Sequence, residues 1–383
     1  MSSSNLRSNP EKLLRQIFAR FVAEEITPIA RELDESGHIP KELFKKLAQM
    51  RAFGIRYPVS QGGSGGNCTL YCIICEELAQ GLLSLAAKAA KQCLMATEHL
   101  FRFGSKELKQ KYFEPAMRGE MVGSFCLTEP EAGGDLGRVT TMATKQEKGW
   151  LIRGVKSWIT NAPIADFYTV LCQTEPSKGI RGVNFFFVPR TTPGVQVSPR
   201  FELLGTRTTE IAEVAFNDCQ VPPDHLLGKE GQGHKSFFAI AAQIRAMTAA
   251  LALGLAKAAY KASFQYARER SQFGKTINNY QLIQAKIADM ATDIWAAELM
   301  LYETTRLIDS GDRGDKEAAM VKYFATEVAC RCCDEATRIM GGYAYSMEYP
   351  VQRFYRDCRF LLYGGGTHEV LRTNIARMVG FWR

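Results

Sequence analysis

Three groups of residues in this 383-residue chain have types and spacings that could do chemistry. Cys68, Cys72 and Cys75 stand at the C-x3-C-x2-C spacing that can supply three thiolates to an iron–sulfur cluster. The same offsets put all three on one face of a helix over 68–80, and inward packing of small apolar side chains is the expectation. Cys330, Cys332 and Cys333 lie in an alanine-rich helical pattern with no histidine nearby to complete a zinc set, so no metal site is expected. The second group is Arg270, whose planar fork can meet two oxygens of a pyrophosphate at once, and the pair Gly341-Gly342, which leaves no Cβ between backbone N–H groups and an anion. A helix-surface arginine and a plain helix C-cap are the competing roles. The third is Thr128, Trp158 and Thr160, hydroxyls beside an aromatic wall, as a flat ring with apolar faces and one polar edge would need. Taken singly, each is equally at home as a satisfied sheet residue.

Three blocks must position these groups. Up to about residue 120 the apolar residues recur at helical spacing: Leu14, Ile17, Phe18, Phe21 and Val22 within a helix over 11–31, then helices over 40–50 and 106–117. From Val122 to about Gly228, short β-branched and aromatic runs (150–152, 167–172, 183–188, 195–197, 211–216) alternate with Gly, Pro, Asn and Asp, which predicts a sheet. Helical spacing then returns over 236–269, 280–310, 315–340, 351–358 and 368–378. The expected fold is α+β, with an N-terminal helical domain (1–121), a middle β-domain (122–229) and a C-terminal helical bundle domain (230–383). A sheet between two helical blocks turns a face toward them, and the groove so made can bury a flat ligand.

Composition narrows the classes further. With 46% hydrophobic and 23% charged residues, disorder and fibrous repeats are excluded. The net charge of +8 is scattered, which argues against a nucleic-acid platform and fits a small anionic ligand such as a nucleotide or coenzyme A. Residues 1–18 carry charges where a secretory leader would be apolar, so a cytoplasmic location with reduced cysteines is expected. The most apolar run, 246–256, is shorter than the roughly 20 residues a bilayer span needs, and no membrane span is expected.

Five motifs, in order and on the expected element types, make the chain resemble the acyl-CoA dehydrogenases and oxidases over nearly its full length. Cys126-Leu127-Thr128-Glu129-Pro130-Glu131-Ala132-Gly133-Gly134-Asp135 is similar to the family's LTEPxxGSD loop, and Lys156-Ser157-Trp158-Ile159-Thr160-Asn161-Ala162 to its KxWITNA. Val221-Pro222 with Leu226-Leu227-Gly228-Lys229-Glu230-Gly231-Gln232-Gly233 resembles VP…LLGxEGxG. Arg268-Glu269-Arg270-Ser271-Gln272-Phe273-Gly274, followed by Gln281, Gln284 and 286–290, resembles RxxFG…Q…ADM. Gly341-Gly342-Tyr343 with 349–357 matches GGxGY…YPVERxYRD. The resemblance implies an acyl-CoA dehydrogenase-like fold ending in a four-helix bundle, with FAD as cofactor. It implies that Thr128 and Thr160 bond the isoalloxazine edge with Trp158 beside it, and that Cys126, Leu127, Gly133 and Ile159 share that wall. Arg270, Phe273 and Gln281 would grip FAD from a neighbouring subunit, Gly341 and Gly342 would approach the nucleotide, and Thr367 and Glu369 would lie on the FAD side. Where the family has Gln before the glycine pair this chain has Arg338, another positive charge for an anionic cofactor.

Departures from the pattern concern the substrate. In the family a carboxylate removes the α-proton of a CoA thioester while the flavin accepts a hydride from the β-carbon. One family position for that acid reads Tyr363-Gly364-Gly365-Gly366-Thr367, with Gly365 where the glutamate would be; the other reads Ala242-Gln243-Ile244-Arg245, with Ile244 in its place. A general base contributes about a hundred- to ten-thousand-fold in rate. Glu98, Lys88 and Lys91 are conceivable substitutes, although a solvated helix face is their expected setting. The family's serine is replaced by Gly134 and its aspartate by Ala242, which leaves Arg245 as the CoA-side contact; Ala86, Ala87 and Ala90 imply a roomy acyl pocket. The leading expectation is an FAD-dependent flavoenzyme acting on an acyl-CoA, a homotetramer or a heteromer with a paralogue, passing electrons to an electron-transferring flavoprotein. Its chemistry would be atypical: an unusual base, enoyl-CoA reduction, or an elimination in which a leaving group departs without α-proton removal. The alternative is a non-catalytic partner subunit that completes the FAD site of a paralogous chain.

Overall fold

Apolar side chains recurring every three to four residues bury one stripe of each helix at both ends of the chain, whose residues 9–381 are described by a computed structural model. The first block comprises α1 (Asn9–Phe21), α2 (Ala30–Ser36), α3 (Lys41–Gln49), α4 (Cys68–Gly81), α5 (Leu83–Lys91), α6 (Glu98–Phe103), and the short α7 (Lys106–Leu108) and α8 (Glu114–Met117). The single helix expected over 11–31 is divided: Pro28, which has no N–H to donate, sits in a tight turn at Thr27–Ile29 between α1 and α2. The second helical block is α9 (Gly233–Glu269), α10 (Gln281–Asp309), α11 (Asp315–Met340), α12 (Val351–Tyr363) and α13 (His368–Met378). Between α9 and α10 a hairpin is formed by two minimal strands, Ser271–Gln272 and Lys275–Thr276.

The middle block is an eight-stranded sheet: β1 (Gly123–Cys126), β2 (Met142–Gln146), β3 (Gly149–Ile159), β4 (Phe167–Gln173), β5 (Val183–Pro189), β6 (Val195–Val197), β7 (Ala212–Val221) and β8 (Leu226–Leu227). Its order is β6-β7-β3-β2-β4-β5-β8, with β1 added parallel to β4. Every residue of β4 is buried, because one face meets Trp150, Phe186 and Phe216 and the other meets Phe113, Phe125 and the α6–α8 segment. Its unbroken apolar text, rather than an alternating one, follows from that double covering.

The two helical blocks are not separate domains in packing. Residues from α1, α3, α4 and α5 share one hydrophobic core with α9 to α12. At Gly254 of α9 an added Cβ would lie 2.1 Å from the Glu76 carbonyl oxygen, so only glycine permits α4 and α9 to approach this closely. Arg15 of α1 bonds Glu76 at 2.9 and 2.8 Å, and Lys257 of α9 reaches the same carboxylate at 2.7 Å, closing a buried charge network across three helices. Cys68, Cys72 and Cys75 face this core as buried free thiols, as their spacing predicts. Contrary to the sequence reading, α9 does contain a stretch long and apolar enough to cross a membrane, but 78% of it is buried inside the protein. It is the central helix of the core.

The sheet is tied to this core from below α12. The Thr206 N–H donates to buried Asp357 at 2.6 Å, and Arg356 donates to the Leu204 carbonyl at 3.1 Å. These bonds set the distance between the strands and the C-terminal turn that carries the site.

Candidate active site

One wall of the site is built from the loop that follows β1 and from the end of β3. Glu129 and Lys156 form a wholly buried ion pair at 2.8 Å. The carboxylate also accepts from the N–H groups of Thr140 (2.7 Å) and Thr141 (2.9 Å), while the ammonium donates to the Leu127 carbonyl at 3.1 Å. Burial alone would raise the Glu129 pKa; Lys156 and the surrounding donors reverse this and hold it down at about 2. The pair fastens the loop to β3, and Ser157 N–H to Thr128 carbonyl (2.9 Å) completes the join. Thr128, Trp158 and Thr160 are thereby brought onto adjacent stretches, as the sequence reading required. A register shift in the β3/β7 pairing between Lys156 and Ile159 turns Trp158 outward at φ 61°, with 60% of its surface exposed and its ring edge-on to Phe201. The side chains of Cys126 and Ile159 point into the sheet core, so only their main-chain groups can face a ligand. The Asn161 side chain is buried with neither amide atom hydrogen-bonded.

The opposite wall is the turn between α12 and α13. Lys322 of α11 donates to the carbonyls of Leu362 (3.2 Å) and Gly366 (2.7 Å), and burial pushes its pKa down to about 8. Thr367 caps α13 by accepting from Val370 N–H, and the exposed Glu369 is held below the usual carboxylate range by backbone N–H at that helix start and by Thr367. The walls approach one another at Gly134, where a Cβ would stand 3.1 Å from a methyl of Val370. Gly365 and Ile244, far apart in sequence, converge. A Cβ built on Gly365 (φ 74°) would lie 2.9 Å from the Thr248 hydroxyl and 3.8 Å from a methyl of Ile244. The Thr248 hydroxyl is locked by a 2.8 Å bond to the Ile244 carbonyl. The two positions at which the resemblance places an acid are thus one spot, lined by methyls and one hydroxyl.

Arg270 and the glycine pair also meet. A cleft of about 540 Å³ is lined by Tyr266, Arg270, Gly341, Gly342 and Tyr343, with the guanidinium over the Tyr343 ring. No atom comes within 4 Å of a Cβ built on Gly341 or Gly342, so that floor is open. Phe273, on the hairpin, is 94% exposed, and Gln281 is exposed at the start of α10. Arg338 does not join them: it is exposed and bonds Asp334 on its own helix at 2.7 Å. A second cleft of about 560 Å³ is lined by Lys235, Phe238, Ala242, Gln243 and Arg313. Arg245 is partly buried on α9 beside it, with Asp315 as the favourable charge.

The helix floor differs from expectation. Ala86, Ala87 and Ala90 are closed over by the main core and leave no accessible wall. Lys88 and Glu98 are not on a solvated face: Lys88 is buried against Glu210, and Glu98 is buried between Arg56 and Arg102, which keep it ionised below its usual range. Lys91 is also turned inward, donating to the Thr160 hydroxyl. Lys88 and Lys91 fold under the sheet because the 206–210 turn and the end of β3 cover α5, while Glu98 on α6 is enclosed by Arg56 and Arg102. The sequence reading missed Glu129, Lys156 and Lys322 as positioning residues; the first two stand inside the quoted motifs, while nothing local marks Lys322.

Comparison with known proteins agrees with this geometry. The chain matches the acyl-CoA dehydrogenase N-terminal domain over residues 8–120, the middle domain over 124–219 and the C-terminal domain over 231–380. It is 44% identical over 373 residues to benzylmalonyl-CoA dehydrogenase of Aromatoleum aromaticum, covering 97% of this chain and 98% of that one. It is 35% identical over 375 residues to the caffeyl-CoA reductase-Etf complex subunit CarC of Acetobacterium woodii, covering 97% and 98% respectively. The butyryl-CoA dehydrogenase structure from Megasphaera elsdenii superposes with a TM-score of 0.94 at 33% identity, covering 99% of this chain and all of that one. The chain belongs to the acyl-CoA dehydrogenase family and is an oxidoreductase of that type.

Glu129→Gln leaves Lys156 buried without its counter-charge, and chemical denaturation should show a loss of roughly 3–5 kcal/mol. Because the Glu129 pKa is depressed, its contribution is complete above the unfolded value near 4.5 and fades as pH falls toward 2, so the variant should show a flatter acid limb over that window. Arg270→Ala should give protein of unchanged thermal stability but low flavin content on purification, read from the visible absorbance.

Proposed function

We propose that this chain is an FAD-dependent flavoenzyme that oxidises a CoA thioester whose α-carbon carries a carboxylate, releasing CO2 in place of an α-proton. Support for FAD comes from the donor set: Thr128 and Thr160 hydroxyls on one wall, the open Gly341-Gly342 floor beside Arg270, and the buried Asn161 amide that finds no partner within the protein. Thr128, Thr160 and Trp158 would hold the ring, and Arg270 with Gly341 and Gly342 the pyrophosphate. FAD, when bound, would supply a two-electron acceptor.

The single observation that carries the reaction class is the apposition of Gly365, Ile244 and Thr248. Oxidation between the α- and β-carbons requires an electron pair at the α-carbon, and an ordinary acyl-CoA yields it only when a base removes the proton. At this spot the protein presents methyls and a hydroxyl already engaged with a carbonyl. In a malonyl-type thioester, breaking the bond from the α-carbon to its carboxylate frees the same pair. That pair would form the new double bond as the β-hydrogen leaves with its own pair for a two-electron acceptor, a role bound FAD would supply, so the α-carboxyacyl-CoA would give enoyl-CoA and CO2 with two electrons passed on. The apolar lining favours this step, since a charged carboxylate becomes neutral CO2. The relative from Aromatoleum aromaticum, whose name specifies a benzylmalonyl thioester, supports the same class.

Lys322 of α11 and the cap at Thr367 fix the Gly364–Gly366 turn, which places Gly365 over Thr248 and Ile244 of α9. The exposed apolar side chains Phe273, Leu282 (80%) and Trp295 (58%) support assembly into a tetramer or with a paralogous chain. The Etf association named for the Acetobacterium woodii relative supports an electron-transferring flavoprotein as acceptor.

Incubated anaerobically with benzylmalonyl-CoA, the flavin-loaded protein should bleach with release of one CO2 per flavin. 3-Phenylpropionyl-CoA, which lacks only the carboxylate, should react at least about a hundred-fold more slowly; equal rates, or bleaching without CO2, would overturn the reading. Gly365→Glu alone should misfold locally, because its Cβ meets Thr248 and its φ is positive. Paired with Thr248→Ala it should raise 3-phenylpropionyl-CoA oxidation by a hundred-fold or more.

A further inference from the structure

We propose that Lys91 is the specificity-determining residue of the acyl pocket, its ammonium pairing with the α-carboxylate of the substrate; this rests on the α-carboxyacyl reading above. Four other cations turned into the interior have carboxylate partners. Lys88 faces Glu210, Lys156 faces Glu129, Lys257 faces Glu76, and Arg56 faces Glu98. Lys322 has two carbonyl oxygens and the nearby charge of Glu369. Lys91 differs: its hydrogen bond goes to the neutral hydroxyl of Thr160, its ring neighbour is Phe360 at 5.1 Å, and burial is the one influence on its charge. A desolvated ammonium without a counter-ion is costly, so a site that keeps one is built for an anion that arrives from outside.

The placement identifies the anion. Thr160 ends the sheet wall, and Phe360 lies on α12, which runs directly into the Gly364–Gly366 turn. The ammonium therefore lies between the end of β3 and α12, the helix that leads into the turn carrying Gly365. Unlike Lys88, which is 1% exposed, Lys91 is only half-buried. At neutral pH it is an ammonium, since burial lowers its pKa only to about 8, and so it serves as a charge partner and not as a base for the α-proton. A carboxylate supplied by the acyl group satisfies it, while the methyls of Ile244 and the Gly365 turn leave the α-carbon without a second acid.

Malonyl-CoA and acetyl-CoA test this directly, because they differ by one carboxylate and neither has a hydrogen on a β-carbon to give up. Equilibrium binding to the flavin-loaded wild type should favour malonyl-CoA by ten-fold or more. Lys91→Met should weaken malonyl-CoA by ten- to a hundred-fold, leave acetyl-CoA within two-fold, retain its flavin, and raise the thermal midpoint of ligand-free protein, because a buried unpaired charge is gone. No preference in the wild type, equal weakening of both thioesters, or loss of flavin would overturn the assignment. The two readings fail separately: malonyl-CoA selectivity that depends on Lys91 without CO2 release from benzylmalonyl-CoA would sink the reaction alone, and CO2 release with binding insensitive to Lys91→Met would sink the role of Lys91 alone. Lys91→Arg, which keeps the charge, should recover most of the selectivity.

Discussion

The buried pair of Glu129 and Lys156 is the interaction on which the sheet wall depends. Neither ion is stable alone in the sheet interior, so each holds the other, and the loop after β1 is drawn onto β3 as a result. Thr128, Trp158 and Thr160 owe their common face to that constraint. The hydroxyl of Thr160 then accepts from Lys91, so the same join fixes the end of β3 against α5.

The rest of the interior follows the same rule. Between α1, α4 and α9 the buried charges are paired, with Glu76 serving both Arg15 and Lys257. Among the described residues, Gly365, Ile244 and Thr248 meet without an acid, and Lys91 hydrogen-bonds a neutral hydroxyl. Under the proposed reading, the substrate would bring the anion for Lys91, and cleavage of its own bond would make a base unnecessary. Both features point to the same group on the acyl chain.

Much of the architecture was legible from periodicity. The bounds of α11 and α13 agree with the apolar spacing, and β4 and β5 with their β-branched and aromatic runs, because these segments bury a regular stripe or both faces. β1, β2 and β8 were not legible: β8 has two residues, β2 is mostly polar and exposed, and β1 is defined by its parallel pairing with a distant strand. Lys88 and Glu98 read as solvated since local pattern cannot show that Glu210 and Arg56 come from elsewhere to neutralise them.

The amino-acid sequence by itself determined the order of helical and sheet blocks, the family motifs, and the glycine and isoleucine at positions where an acid would stand. These are properties of residue type and local spacing. Only the tertiary structure decided that Gly365 and Ile244 are one place, that the two helical blocks share one core, and that Lys91 meets the hydroxyl of Thr160 and the ring of Phe360. Those facts depend on distances between residues remote along the chain, which are set by packing and charge pairing once the whole core has closed.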